Sequence, residues 1–316
     1  MKKIERLGLG CMGMSSLRNP ENSVKTIQRA LDRGITLFNT GEFYNAGESE
    51  MIVGKALKDV PRDKYFLSVK FGVLPKPGGG IYGLDVNPFN VKGHLAYSLS
   101  RLGLDYVDLY QPARMDTEIH VEEEVGAIAD EVKAGNVRHI GLTMVDSETL
   151  RRACKVHPIH TVEMEYSLIE RGIENDLIAT AKELGVKVLA FGTVGHGLLS
   201  ENILSGKVSN PRMVGMLSGE NRERYMQIIS SLKEVADEKG VTLSQLALSW
   251  SLAKYDNVQS LIGTTNPEHL QNAVDALNIT LTENDIMRME NAISADKFGG
   301  GVMRNFRFTN GRMSLA

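Results

Sequence analysis

The chain predicts an α/β fold, a (β/α)8 or TIM barrel, built as one domain over residues 1–316. Short apolar runs alternate with amphipathic helical patterns from end to end, the signature of repeated βα units on a parallel sheet. Eight such units can be counted. No shift of composition divides the chain, and 42% hydrophobic with 24% charged residues supplies one large core.

The strand candidates in order are RLGLG near Leu7, TLFNT near Phe38, YFLSVK ending at Lys70, YVDLY ending at Tyr110, HIGLT ending at Thr143, TVEMEY ending at Tyr166, VKVLAF ending at Phe191 and VQSLIG ending at Gly263. Each has the length of a barrel strand. Between them apolar residues recur three and four apart, as in Val24, Ile27, Ala30 and Leu31, in Val125, Ile128, Ala129 and Val132, and in Leu177, Ile178, Ala181 and Leu184. That spacing places one stripe of each helix against the strands. Gly34, Gly135, Gly185 and Gly240 stand where helix C-caps are expected. Two stretches depart from the repeat: the Gly/Pro-rich LPKPGGGIYGLDVNP after the third strand and the segment from Gly195 to Gly219 after the seventh. Both leave the carboxyl end of a strand, the face on which barrels build active sites.

Bulk charge narrows the function. The formal net charge is −3, and Lys and Arg are interleaved with acids rather than gathered in runs, so no footprint for nucleic acid is present. No signal-peptide core or membrane-length apolar run is found, and the protein is expected in the cytoplasm with a small-molecule substrate. The oligomeric state is left open. Two cysteines, Cys11 and Cys154, give neither a disulfide framework nor metal-ligand spacing, and no metal is expected.

The polar residues at strand carboxyl ends are the informative ones: Asn39, Glu42, Tyr44, Lys70, Arg114, Thr143, Glu163 and Glu165. Lys70 sets an ammonium inside the apolar FLSVKFGV, and a buried lysine needs an anionic or hydrogen-bonding partner to stay charged. The alternative is a strand-end lysine reaching solvent. Tyr44 follows the second strand by a short polar loop; beside a lysine its phenol would fall in pKa and act as general acid or base. Standing alone it would be a core or rim residue.

The blocks LGLGCMGMSS, GITLFNTGEFYNAGESEMIVGKAL, SVKFG, SLSRLGLDYVDLYQ, VGAIADEVKAGNVRHIGLT, VHPIHTVEMEYSLIERGIE and GTTNPEHL resemble those of the aldo-keto reductase superfamily in the same order and at similar spacing, over nearly the whole chain. The resemblance implies a nicotinamide-dependent oxidoreductase acting on a carbonyl or hydroxyl group, with NADP(H) as cofactor and NAD(H) as an alternative. It places Tyr44 on the family's proton donor and Lys70 on the lysine that lowers its pKa. The family's aspartate position holds Asn39, so Lys70 would lose a carboxylate partner, be easier to deprotonate, and polarise Tyr44 less. The family's histidine position holds Ala113 in YQPARMD, a phrase similar to that of a bacterial subgroup. Loss of such a donor typically removes roughly 2.7 to 4 kcal/mol of transition-state stabilisation.

The same resemblance assigns cofactor positions to Met12, Thr143, Met144, Glu163 and Phe191, the last as the ring stacked on the nicotinamide. The backbone of Gly192, Thr193, Val194, Gly195 and Gly197 would hold the pyrophosphate. Ile262, Gly263, Thr264, Thr265, His269 and Asn272 would lie along the adenosine end, with His269 as the cation for a 2'-phosphate. Ala113, Glu42 and Arg307 fall at the substrate pocket, beneath a basic tail that also carries Arg304 and Arg312. Two further readings stay open: a redox-neutral enzyme, an epimerase or lyase using Glu42, Glu163 or Glu165, and a non-catalytic cofactor-sensing or partner-binding protein.

Overall fold

The computed structural model describes residues 3–15, 20–204, 220–293 and 306–315. Eight parallel strands close a barrel: β1 (Leu7–Gly10), β2 (Leu37–Gly41), β3 (Phe66–Phe71), β6 (Val107–Pro112), β7 (Val137–Thr143), β8 (Ile159–Glu165), β9 (Lys187–Phe191) and β10 (Val258–Gly263). They pair in that order, and β10 returns to β1 with Leu7 opposite Ser260 and Gly10 opposite Gly263. All eight sequence-derived strands are present, within two residues at their ends. The reason is local. Each run is short and mostly apolar, as a strand enclosed by side chains within and helices without requires.

The helices in chain order are α1 (Pro20–Asp32), α2 (Glu48–Leu57), α3 (Val91–Leu102), α4 (Val121–Ala134), α5 (Ser147–Val156), α6 (Leu177–Glu183), α7 (Glu201–Leu204), α8 (Glu220–Glu238), α9 (Leu243–Ala253), α10 (His269–Ala276) and α11 (Glu283–Ala292). The expected stripes are the buried ones: Ile27 and Ala30 on α1, Val125 and Ile128 on α4, Leu177, Ile178 and Ala181 on α6. Gly135 ends α4 in the left-handed region at φ 85°, a conformation that costs an L side chain about 1 kcal/mol or more. At the amino end of the barrel Arg6 donates to the carbonyls of Leu252, Tyr255 and Val258 and ties α9 and the start of β10 to the chain start.

The irregular stretch after β3 is not a plain loop. It forms an antiparallel hairpin, β4 (Val73–Pro75) and β5 (Ile81–Leu84). A second hairpin, β11 (Phe306–Thr309) and β12 (Arg312–Leu315), adds to its edge, giving the order β11-β12-β5-β4. The Asp116 carboxylate after β6 accepts the N–H groups of Asn310 and Gly311 at 3.0 and 2.5 Å. Thr117 N–H donates to the Phe308 carbonyl at 3.0 Å, and Leu84 N–H to that of Gly311 at 2.8 Å. Phe308 is buried. The tail is thus fastened to the carboxyl end of the barrel. Residues 205–219, which hold most of the second irregular stretch, and Arg304 lie outside the described residues.

Candidate active site

The interior layer at the carboxyl ends of β2, β3, β6 and β8 is polar, against an otherwise apolar barrel. Register explains the gathering: Asn39 stands opposite Ser68 and Gly41 opposite Lys70 across β2 and β3, while Lys70 stands opposite Gln111 across β3 and β6. Lys70 is 3% exposed, so the solvent-reaching alternative fails. Its Nζ donates to Glu163 Oε1 at 2.9 Å and to Asn39 Oδ1. Asn39 Nδ2 in turn donates to Glu163 Oε2 at 2.8 Å and to Ser68 Oγ at 3.1 Å, and Gln111 Nε2 donates to Glu163 Oε2 at 2.5 Å. A β-carbon at Gly141 would stand 2.3 Å from Gln111 Oε1, so the Gln111 side chain has room only because residue 141 is glycine.

The electrostatics correct one sequence expectation. Burial works against the Lys70 ammonium, but the Glu163 carboxylate and then Tyr44 outweigh it, and the lysine pKa stands above its usual 10.5. Lys70 is therefore harder to deprotonate, because β8 brings it the carboxylate that residue 39 lacks. Tyr44 is also corrected. Its ring centroid lies 5.2 Å from Lys70 Nζ. Burial raises the phenol pKa; Lys70 pulls it down and Glu163 pushes it up again, leaving it above the usual 10. The phenol is thereby held protonated at neutral pH.

Backbone strain places Tyr44. Asn45 and Ala46 follow it with φ of 50° and 53°, in a region L residues avoid, and Gly47 continues at φ 97°. Asn45 Nδ2 donates to the Met14 carbonyl at 2.8 Å and so ties this turn to the chain after β1.

Glu42 does not join the cluster. Its carboxylate accepts Gly72 N–H at 2.6 Å and pairs with His94 Nδ1 at 2.9 Å, while His94 Nε2 faces Asp85 at 3.4 Å. Both Glu42 carboxylate oxygens are engaged there, one by Gly72 N–H and the other by His94 Nδ1, at the base of the β4–β5 hairpin. His94 and Asp85 carry no motif of their own, and neither they nor Gln111 and Ser68 stood out in the sequence. Ala113 is buried after β6. Arg114, next in the chain, is partly buried; its pKa is lowered by burial against the opposing charges of Glu163, Tyr44 and Glu165. Arg307 is exposed on β11.

The positions that the family resemblance assigns to a cofactor run along the carboxyl ends of β7 to β10 and the chain after β1. Thr143 is buried and its hydroxyl has no hydrogen-bond partner among the described residues, an orphan of the kind a bound amide satisfies. Met144 adopts φ 53°, donates its N–H to the Glu163 carbonyl at 2.9 Å and accepts Glu165 N–H at its sulfur, 3.4 Å away. Glu163 is occupied by Lys70, Asn39 and Gln111. Phe191 ends β9, and the turn after it holds Gly192, Gly195, His196 and Gly197 at φ 68°, 58°, 53° and 98°. Gly195 and Gly197 give their N–H groups to the carbonyls of Gly192 and Val194 within the turn, and Thr193 is buried. His196 Nε2 meets Glu165 Oε1 at 3.0 Å. Past β10, Thr264 Oγ1 lies 3.5 Å from His269 Nδ1, and Arg29 is paired with Glu268 at 2.6 Å. Thr265, His269 and Asn272 are exposed, as is Met12. A nicotinamide fits the arc at Thr143 and the glycine turn, with Glu163 already committed elsewhere.

A closed parallel barrel with a tyrosine, a buried lysine and a carboxylate gathered at its carboxyl end defines a barrel enzyme. The sequence model of the Aldo/keto reductase family matches residues 6–294. A Glycine max protein named "Probable aldo-keto reductase 1" is 32% identical over 314 residues, covering 96% of this chain and 89% of its own. Among solved structures, a glycerol dehydrogenase of Gluconobacter oxydans superposes with TM-score 0.82 at 25% identity, over 91% of this chain and 90% of its own. An aldo-keto reductase of Bacillus halodurans, in holo form, superposes at 0.76 and 26% identity, over 92% of each chain. The chain belongs to the aldo-keto reductase family, and it is an NAD(P)H-dependent oxidoreductase of carbonyl chemistry.

Proposed function

We propose that the protein interconverts a small-molecule carbonyl and its alcohol using NADP(H), with NAD(H) as the alternative, through a catalytic set whose carboxylate is Glu163 rather than residue 39. The observation that carries this reading is the Lys70 ion pair with Glu163 beside Tyr44.

In reduction the bound nicotinamide supplies the hydride. Tyr44 gives its phenolic proton to the carbonyl oxygen, which becomes the alcohol. A phenol kept protonated by burial suits that role as an acid, and the Lys70 ammonium stabilises the phenolate left behind until a proton returns from solvent. Glu163 and Asn39 keep Lys70 charged and fixed. Ala113 contributes no hydrogen bond to the carbonyl. Thr143, with its unpartnered hydroxyl, supports an amide contact to the cofactor, and the glycine turn from Gly192 to Gly197 supports the approach of its phosphates. His269, exposed at the start of α10, is the histidine at the adenosine end.

A fluorescence titration with NADPH and NADH, followed by turnover with an aldehyde and ketone panel, tests the reading. Saturable binding and consumption of the reduced cofactor are expected. Binding of neither nucleotide would overturn it. Binding without consumption on any carbonyl compound, or interconversion with no net oxidation, would move the protein to sensing or redox-neutral chemistry.

A further inference from the structure

Around the Lys70 cluster every charge but one has a partner. Lys70 is paired with Glu163 at 2.9 Å, and Glu165 with His196 at 3.0 Å. Arg114 forms no ion pair among the described residues. A guanidinium carries five N–H donors, and the hydrogen bond it makes runs from Nη1 to the carbonyl of its own neighbour, Ala113, at 2.6 Å. The side chain is nonetheless partly buried, directly past the carboxyl end of β6, with Tyr44, Glu163 and Glu165 as the charges that act on it. Those charges favour the guanidinium without pairing with it, so its burial is only partly offset, and an anion brought by a ligand could complete the pairing.

We propose that Arg114 receives a carboxylate carried by the carbonyl substrate, so that the enzyme selects anionic over neutral carbonyl compounds. This rests on the reading of the site as a carbonyl oxidoreductase. A planar guanidinium fork matches a carboxylate in a bidentate pair, which fixes orientation as well as charge. Arg114 follows β6 at the carboxyl end of the barrel, the end that carries Tyr44, and its charge acts on the phenol, so a carboxylate bound there would belong to the molecule whose carbonyl Tyr44 protonates. Since Ala113 offers no polar group there, orientation of the substrate would come from its own charge. The tail hairpin adds exposed Arg307 and Arg312 at the same end of the barrel, a field of the right sign for an arriving anion.

The test compares matched pairs: pyruvate with pyruvamide, and 3-carboxybenzaldehyde with 3-carbamoylbenzaldehyde. The expected ratio of kcat/KM, anion over amide, is about tenfold or more in the wild type, through KM. In Arg114→Gln the ratio should collapse to near one as KM for the anion rises, and Arg114→Lys should retain part of it. An equal ratio in the wild type overturns the proposal. So does a fall in kcat for both members of each pair in Arg114→Gln, which would place the guanidinium on the carbonyl itself. Calorimetric binding of oxamate against oxamide, with the nicotinamide nucleotide present, separates this from the parent reading. If no carbonyl compound is turned over but oxamate binds and loses affinity in Arg114→Gln, the parent reading falls and the anion site stands. Equal oxamate binding by the two proteins removes the anion site, whatever the turnover.

Discussion

Lys70 of β3 and Glu163 of β8, separated by 93 positions in the chain, meet inside the barrel with Nζ 2.9 Å from Oε1, and Asn39 of β2 hydrogen-bonds both. A buried ammonium and a buried carboxylate each lose hydration on folding, so the pair persists because Asn39 and Gln111 satisfy the remaining oxygen. The family's usual arrangement puts the carboxylate on residue 39. Here an amide stands there, and the carboxylate that pairs with Lys70 is that of Glu163 on β8.

That placement of charge predicts a swap. Glu163→Gln leaves Lys70 with burial as its dominant influence, so the lysine pKa should fall and turnover should be lost at lower pH than in the wild type. Breaking such a buried pair typically costs about 3–5 kcal/mol of stability. Adding Asn39→Asp to Glu163→Gln should recover activity and melting temperature, since the anion returns within reach of Lys70. A double variant no better than the single would refute the exchange.

Tyr44→Phe should lower turnover by a factor of about 100 or more, the scale of a lost general acid, while the NADPH dissociation constant moves less than about twofold. Stopped-flow NADPH oxidation and fluorescence titration on the same preparation check both halves. Retained turnover would remove Tyr44 as proton donor.

Two groups of histidines give opposite pH signatures. At the amino end, His139 and His160 stack at 4.4 Å between ring centroids beside Phe66; burial, then each other's charge and Lys187, depress His160 from the usual 6.5 to about 4. The folded state therefore binds fewer protons than the unfolded chain between about pH 4 and 6.5. That stability is complete above 6.5 and lost as pH falls towards 4. For His94, burial opposes the imidazolium, but Glu42 and Asp85 outweigh it and raise the pKa above 6.5. Its contribution is complete below 6.5 and lost as pH rises through the raised value. Melting curves from pH 4 to 9 should show His160→Gln flattening the acid limb, and His94→Gln costing more near pH 6 than near pH 9. The reverse pattern would overturn these assignments.

Asp116 holds the tail turn through two backbone N–H groups. Asp116→Ala should cost roughly 1–3 kcal/mol locally, the price of leaving such groups unmade. Hydrogen exchange should quicken across 306–315, with the barrel strands unaffected. Equal protection in the variant would show that pairing with β5 suffices.

Much of this was legible in the chain. Alternation of apolar runs and helical stripes reports local burial, and it located the eight strands, the barrel, and Tyr44 and Lys70 at their strand ends. The β4–β5 hairpin was hidden because its glycines and prolines read as loop, and the strand partner of its edge lies more than two hundred residues away. Glu163 was read as a cofactor residue because its own segment carries no sign of Lys70.

What the sequence determined by itself was the fold, the family and the face of the barrel on which chemistry gathers, since these follow from patterns within each βα unit. Tertiary structure decided who pairs with whom: that Glu163 holds Lys70 charged, that Glu42 turns to His94 and the hairpin, and that Arg114 forms no ion pair among the described residues. Those outcomes depend on which strand ends face one another once the barrel closes, and closure brings together residues whose separation along the chain carries no record of the distance.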